Sequence, residues 1–298
     1  MPGISVVVAT YNSQSKILPL MKSLFAQGVL PLEVIVVDNA SSDQTLKLLQ
    51  ENYPQIKLIK NSFNAGFAKA YNRGIKESRG DFVLALNDDI ELQEHFLKKI
   101  CSAAENDEKI AAIQPKVLQN SGKLIDTIGI KLSLLRRFYN RGYGEPDNEK
   151  YNCPGFIFGV SAAAALYRKK SLESVRQDGE YFDEDFFCIA EDIDLSWRLQ
   201  KKGWRSFYCP QAVCIHLGGV SRKRGRFTQY LSMRNRYFML LKNESIWGVL
   251  RLPFVFLIYD LWRNLYMLLT SPGYFLKASF EVLVLAPKML KKRLLSPG

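Results

Sequence analysis

Phe82-Val83-Leu84-Ala85-Leu86-Asn87-Asp88-Asp89 is an apolar run that stops on three polar residues. Its apolar part does not alternate, which predicts a strand buried on both faces that ends at the edge of a parallel sheet. The same grammar holds upstream. Residues 4–9, 34–37 and 56–59 read as three earlier strands. Residues 17–25 and 65–77 have helical spacing, and 94–104 form a further helix. Ser41 and Gln44 have capping-box spacing, which predicts a helix from there to about Asn52. The alternation predicts an α/β fold, a doubly wound, mostly parallel sheet with helices on both faces.

In such sheets ligands bind beyond the carboxyl ends of the strands. Those ends carry Thr10-Tyr11-Asn12, Asp38-Asn39, Asn64 and Asn87-Asp88-Asp89. Any one of these is ordinary turn chemistry. Four consecutive strands ending this way point to a shared nucleotide site.

The 298 residues suffice for one large α/β domain or two smaller ones. No 18-residue stretch lacks a charge, so no simple membrane span is signalled. Met1-Pro2-Gly3 leads straight into a strand, which argues against a secretory signal. Five cysteines with no CxxC spacing argue against a zinc knuckle or a disulfide framework and fit a reduced, cytoplasmic setting. Asn64-Ala65-Gly66-Phe67 matches neither GxGxxG nor a P-loop, which excludes the usual dinucleotide and NTPase fingerprints.

Charge is unevenly placed. Residues 201–298 hold 17 Lys and Arg against 3 Asp and Glu, whereas the first 200 hold 24 against 26. The overall excess of +12 therefore lies in the last third, which seeks an anion: a diphosphate, acidic lipid or nucleic acid. Residues 115–155 read as loops and short strands, 158–167 as a second buried strand, and 209–216 as a short strand ending at His216. Residues 246–269 are apolar but broken by Arg251, Pro253, Asp260 and Arg263. They read either as a helix pair packed on the domain or as an amphipathic segment in a membrane interface, helped by Lys288, Lys291, Lys292 and Arg293.

The acidic clusters carry the chemistry. A nucleotide-sugar donor has a diphosphate leaving group that Mg²⁺ or Mn²⁺ neutralises, held by one or two carboxylates and the phosphates. Asn87-Asp88-Asp89, directly after a buried strand, suits that role. An acceptor hydroxyl needs a base. Glu191-Asp192-Ile193-Asp194 opens a helical stretch and offers Asp192, with Glu191 and Asp194 as alternates. Acids also favour helix N-termini for the dipole alone, so both readings stay open. His216 is either a loop histidine or a third metal ligand. His95, at the start of a surface helix, is given no role. The segment 221–226 can close over a diphosphate, meet acidic lipid or form a solvated turn; Arg234 and Arg236 are similar anion candidates.

Taken together, these stretches resemble the family 2 glycosyltransferases of GT-A fold, in particular the bacterial rhamnosyltransferase-like branch. The resemblance rests on residues 5–12, 33–43, 64–72, Leu86-Asn87-Asp88-Asp89, 182–187, 191–199 and His216, in the family's order, and covers roughly residues 4–240. It implies that Thr10, Tyr11, Asn12, Asp38 and Asn39 line the base and ribose pocket. Asn64, Gly66, Phe67 and Asn72 would complete the donor floor. Asp89 matches the metal-binding end of the DxD motif, and Asn87, in place of its first Asp, would face the ribose with Asp88 beside it. Asp192 matches the catalytic base and His216 a metal-proximal histidine. The family's Gly-Gly before Phe182-Asp183-Glu184 is here Asp178-Gly179-Glu180-Tyr181, in a loop on the acceptor side.

The expectation is a metal-dependent inverting glycosyltransferase in cell-surface polysaccharide synthesis. Residues 1–240 would form the GT-A domain, with a nucleotide-binding half (1–114) and an acceptor-side half (115–240). Residues 241–298 would be a helical, basic, membrane-associating extension. The donor would be dTDP-L-rhamnose and the acceptor a saccharide or lipid-linked saccharide. The protein would be cytoplasmic and peripheral at the inner face of an anionic membrane, with no nucleic-acid partner. The alternatives are a UDP-hexose donor, or an inactive membrane- or polyanion-binding protein on the same fold.

Overall fold

The computed structural model describes residues 2–218 and 225–295. Its first half alternates strand and helix as far as β4 and then adds a short strand before the next helix: β1 (Ile4–Thr10), α1 (Ile17–Phe25), β2 (Glu33–Asp38), α2 (Thr45–Asn52), β3 (Lys57–Lys60), α3 (Gly66–Lys76), β4 (Phe82–Asn87), β5 (Ile90–Leu92) and α4 (Phe96–Glu105). There follow β6 (Ile110–Gln119), the short strands β7 (Ile125–Thr127), β8 (Ile130–Leu132), β9 (Phe138–Asn140) and β10 (Gly155–Ile157), then β11 (Ala164–Arg168), α5 (Lys169–Ser174), α6 (Glu191–Lys201) and β12 (Arg205–His216). The chain closes with α7 (Arg226–Asn243), α8 (Ile246–Val249), α9 (Leu252–Val255), α10 (Leu261–Thr270) and α11 (Pro272–Leu294).

The main sheet runs in the order β10-β12-β6-β11-β4-β1-β2-β3. β4, β1, β2 and β3 are parallel, β11 lies antiparallel between β4 and β6, and β12 pairs parallel with β6. Both faces are covered. Val6, Val8, Val36, Leu84 and Leu86 pack with Ile17, Leu20, Leu24, Leu49, Phe96 and Ile100 from α1, α2 and α4. Val7, Val83 and Ala85 point the other way, onto Ala68, Tyr71 and Ile75 of α3 and Leu195 and Leu199 of α6. Neighbouring residues on a strand thus enter opposite cores, which is why the sequence shows unbroken apolar runs. Each such buried aliphatic side chain contributes about 1.5–3 kcal/mol.

The register aligns the strand ends. Thr10 pairs with Asp38, and Ala9 with Asn87. Three expectations need correction. α2 begins at Thr45 without a capping box: Asp43 Oδ1 accepts from the Thr45 N–H (3.0 Å), and Ser41 Oγ accepts from the Asn12 N–H (2.9 Å). Residues 158–167 are not one strand; β11 starts only at Ala164, after a turn in which the Ala164 N–H donates to Ser161 O. The strand ending at His216 is longer than expected and starts at Arg205.

The last third is built on α7, which packs against α11 and α6. Lys292 of α11 reaches Asp183 Oδ1 (2.6 Å) and Asp185 Oδ2 (2.7 Å). Beyond α7 the outer surface is apolar: Trp247, Leu250, Phe254, Trp262, Leu269 and Leu283 are each more than 60% exposed. Trp247–Thr270 is long and apolar enough to cross a membrane by length and composition alone.

Candidate active site

The β4 end enters the turn Asp88-Asp89. Asp88 Oδ2 accepts from the Ser13 hydroxyl and from the Tyr11 N–H (3.4 Å), tying the turn to the loop after β1. Burial pushes the Asp88 carboxyl up, against the Ser13 hydrogen bond. Asn12, at φ 50°, accepts from the Ser42 N–H at 2.8 Å, and Asp38 accepts from the Ser41 N–H at 3.1 Å. Thr10 and Asp38 are buried in this arrangement, and Tyr11 is exposed. The loops after β1 and β2 therefore form one hydrogen-bonded rim at the sheet's carboxyl edge.

The residues expected to line the rest of the donor site differ in exposure. Asn64 is exposed and Phe67 half-buried, its ring 4.1 Å from that of Tyr71. Asn39, expected in the base and ribose pocket, and Asn72, expected in the donor floor, are both buried, with their side-chain amides hydrogen-bonded within the protein. Asn39 donates to Gly66 O (3.3 Å) and accepts from Asn61 Nδ2 (2.7 Å). Asn72 donates to Phe182 O (2.7 Å) and accepts from the Tyr181 and Phe182 N–H groups (3.0 and 2.8 Å). Gly66 is required: its φ is +84°, and a Cβ there would sit 2.5 Å from the Phe187 ring.

His216, at the end of β12, comes to Asp89. Its Nε2 lies 3.0 Å from Asp89 Oδ1, and its Nδ1 lies 2.9 Å from Asp126 Oδ2. Lys16 Nζ is 3.2 Å from Asp89 Oδ2. Burial alone would lower the His216 pKa, but hydrogen bonds to Asp126 and Asp89 hold it at about 9. Burial alone would raise Asp89, but His216 and Lys16 hold it below the ordinary value. Two observations fit a divalent cation here. Asp126 Oδ1 is buried with no partner, and Gly218 has no room for a Cβ, which would lie 2.1 Å from Asp89 Oδ2. Among the described residues no group of three or more His, Cys, Asp or Glu gathers to hold a metal. A three-ligand protein cage is thus not formed there. Two protein groups leave room for phosphate and water ligands, the mode that suits Mg²⁺ or Mn²⁺.

The three acids at the start of α6 have separate environments. Asp194 is buried in ion pairs with Arg198 Nε (2.9 Å) and Lys242 Nζ (2.8 Å), and accepts from Asn243 Nδ2 (2.7 Å). Glu191 is buried and its Oε2 has no partner; burial, then the charge of Asp192, push its pKa well above the ordinary value. Asp192 is half-buried and accepts from the Ala162 N–H (3.3 Å) and the Ile193 N–H (2.8 Å). Burial raises it to about 6, with those backbone donors opposing. Asp194 is spent on structure and burial pushes the Glu191 carboxyl up, so Asp192, the least buried of the three, is the one suited to accept a proton near neutrality.

The two acidic clusters converge. The Ala162 N–H reaches Asp192, while the next residue's carbonyl, Ala163 O, accepts from the Asn87 N–H (2.8 Å). The buried Tyr71 phenol, which donates to Leu86 O (2.5 Å), feels burial first and then Asp88, with Asp89 and Glu191 also raising its pKa.

Arg234 and Arg236 are not free anion ligands. Arg234 pairs with Glu281 (2.8 Å) and donates to Asp185 O and Phe186 O; Arg236 is buried against Asp260 (2.5 Å). Residues 221–224 of the basic segment lie outside the described residues; Arg226, at the start of α7, is exposed. Asp126 was not singled out in the sequence. Nothing local marks it, because its partner His216 lies on a distant strand. A cavity of about 550 Å³ beside α4, lined by His95, Lys98, Lys99, Phe207 and others, takes in none of these residues.

The family model described as Glycosyl transferase family 2 matches residues 5–176. The Mycobacterium tuberculosis (strain ATCC 25618 / H37Rv) protein named N-acetylglucosaminyl-diphospho-decaprenol L-rhamnosyltransferase is 26% identical over 269 residues, covering 82% of this chain and 86% of its own. Poly-beta-1,6-N-acetyl-D-glucosamine synthase of Staphylococcus aureus (strain COL) is 27% identical over 237 residues, covering 76% of this chain and 54% of that protein. Among solved structures, S. aureus TarS 1–349 in complex with UDP-GlcNAc aligns with TM-score 0.57 at 19% identity, over 98% of this chain and 83% of that one. The Pyrobaculum calidifontis mannosyltransferase PcManGT in complex with GDP-Man and Mn²⁺ aligns with TM-score 0.58 at 16% identity, over 98% and 84%.

Proposed function

We propose a reaction for this chain from the premise that it belongs to glycosyl transferase family 2, is a glycosyltransferase and carries the GT-A fold. It transfers a sugar from a nucleotide-sugar donor to a hydroxyl of a saccharide acceptor, with inversion by a single displacement. Thr10, Tyr11, Asn12 and Asp38 position the nucleoside, with Asn87 and Asp88 at the ribose and Asn64, Gly66 and Phe67 at the floor. Asn39 and Asn72 support that floor from below. Asp89 and His216, the latter after giving up its Nε2 proton, would hold a divalent cation, which when bound neutralises the leaving diphosphate. Asp192 takes the proton of the attacking hydroxyl.

The observation that carries the reading is the sorting of the three acids at α6: Asp192 is half-buried and ionisable at about 6, Glu191 is buried and pushed up, and Asp194 is held in ion pairs. A carboxylate near that value is ionised at pH 7 yet basic enough to accept a proton. dTDP-L-rhamnose is the proposed donor and a lipid-linked saccharide the proposed acceptor, in keeping with the name of the mycobacterial relative. A UDP-hexose donor is the second reading, favoured by the likeness to TarS, whose structure contains UDP-GlcNAc.

The exposed apolar surface of α8–α11 and the exposed basic residues Arg251, Lys277 and Lys291 on the same helices and the links between them suit the interface of an anionic membrane, where a lipid-linked acceptor resides. Asp260, within the apolar stretch, is buried in an ion pair with Arg236 of α7. That tie to the domain favours lying in the interface over crossing it. In a transfer assay with dTDP-L-rhamnose, UDP-hexoses and Mn²⁺, Asp192→Asn should lose about 10²–10⁴-fold in turnover while retaining donor binding. Undiminished turnover overturns the base assignment.

A further inference from the structure

Asp192 follows a turn that few sequences would adopt. Phe187, Ile189 and Ala190 have φ of 63°, 73° and 72°, and none is glycine. For β-branched Ile189 this is a true outlier. Such strain persists only where surrounding structure over-determines it, and it concentrates at functional sites. The over-determining contacts come from α7. Asn235 is fully buried, and its side-chain amide donates to Phe186 O (2.9 Å), Cys188 O (2.8 Å) and Ile189 O (2.7 Å). Its own oxygen is fixed by Arg234 Nε (2.9 Å), and Arg234 Nη2 donates to Asp185 O and Phe186 O. From the other side, Phe187 O accepts from the Ala68 N–H (3.2 Å) at the start of α3. The turn then passes directly into α6: Ala190 is the cap residue, its O accepting from the Asp194 N–H (2.9 Å), and Asp192 is two residues on.

We propose that Asn235 is a positioning residue for the catalytic base: it staples the strained 187–190 turn so that Asp192 faces the acceptor hydroxyl. This rests on the assignment of Asp192 as the base. One side chain gathering the carbonyls of residues 186, 188 and 189 is costly to bury unless those carbonyls must point inward together. They leave the following residues no freedom to rotate the start of α6. Without the staple, the turn can leave its positive-φ conformations, and the carboxylate drifts while the donor site, built on β1, β2 and β4, stays intact.

The test is steady-state kinetics of Asn235→Ala, Ala190→Gly, the double variant and Asp192→Asn, with donor affinity by calorimetry and melting temperature by circular dichroism. Asn235→Ala should lower kcat by about a hundredfold, the scale of a 1 Å misplacement, with donor affinity within about twofold. The acid limb of its kcat profile, near pH 6 in the native enzyme, should move down as the freed carboxylate becomes solvated. Glycine at 190 removes a left-handed penalty, so the double variant should regain roughly tenfold of the loss. It also keeps the proposal testable if Asn235→Ala alone does not fold. A kcat like the native enzyme's overturns the proposal, as does a loss that glycine does not rescue and that leaves the pH profile unmoved. Should Asp192→Asn retain turnover, the base assignment falls instead, whatever Asn235 does.

Discussion

Replacing Lys242 by methionine removes one charge from the cluster that joins α6 to α7 and α11. Lys242 Nζ lies 2.8 Å from Asp183 Oδ2 and 2.8 Å from Asp194 Oδ2, and all three side chains are at most 2% exposed. Methionine has similar length and keeps the packing, so the change isolates the charge. Breaking a buried pair by removing one partner costs about 3–5 kcal/mol, because the other charge is left uncompensated. Here the stranded carboxylates keep other partners: Asp183 retains Lys292 at 2.6 Å, and Asp194 retains Arg198 at 2.9 Å. The lower end is therefore expected, about 3 kcal/mol, or a fall in Tm of roughly 6–12 °C.

The pH dependence supplies a second signature. Burial alone would raise Asp183 and Asp194, yet Lys242 with Lys292 and Lys242 with Arg198 hold them below the ordinary carboxylate value. A depressed folded pKa stabilises above the unfolded value of about 4, and the gain is lost as pH falls through the folded value. Without Lys242 both carboxyls rise and can neutralise themselves by taking a proton. The deficit of the variant should therefore be full at pH 7 and narrow as pH approaches 4. Thermal unfolding by circular dichroism between those limits measures it. A Tm within about 2 °C of the native value at pH 7, or a deficit that does not narrow, would refute the reasoning.

Three further outcomes are expected. Gly218→Ala places a methyl against Asp89 and should weaken Mn²⁺-dependent binding of a nucleoside diphosphate by at least about tenfold in calorimetry; unchanged affinity contradicts the close approach. Asp126→Asn should cost about 10–100-fold in Mn²⁺ affinity, because Asp126 fixes the orientation and tautomer of His216; titration of Mn²⁺ by electron paramagnetic resonance reads this without turnover. The pair Trp262→Glu and Leu269→Glu should reduce sedimentation with anionic vesicles by more than tenfold, since each buried apolar side chain is worth about 1.5–3 kcal/mol. Retained vesicle binding moves the membrane contact elsewhere.

The first half of the fold was legible because its signals are local. The unbroken runs at β1, β2 and β4 and the helical spacing of α1 and α3 report burial on both faces of a sheet, and a parallel sheet gathers its polar strand ends at one edge. Thr10, Asp38 and Asn87 were therefore readable as neighbours. The start of α2 was misread because Ser41 turns to the neighbouring loop, a partner that spacing does not reveal.

The sequence by itself determined the alternation of elements, the edge at which polar residues collect, and the types of group offered there. Only the tertiary structure decided which groups stay free to act. Glu191, Asp192 and Asp194 are equivalent by spacing; Lys242 and Arg198 claim Asp194, burial encloses Glu191 and pushes its carboxyl up, and Asp192 is left half-buried. Arg234 and Arg236 look like anion ligands in the chain and are consumed by Glu281, Asp260 and backbone carbonyls in the fold. The physical reason is the same in each case. A charged group's role depends on its desolvation and on the nearest opposite charge, and both are set by residues far away in sequence.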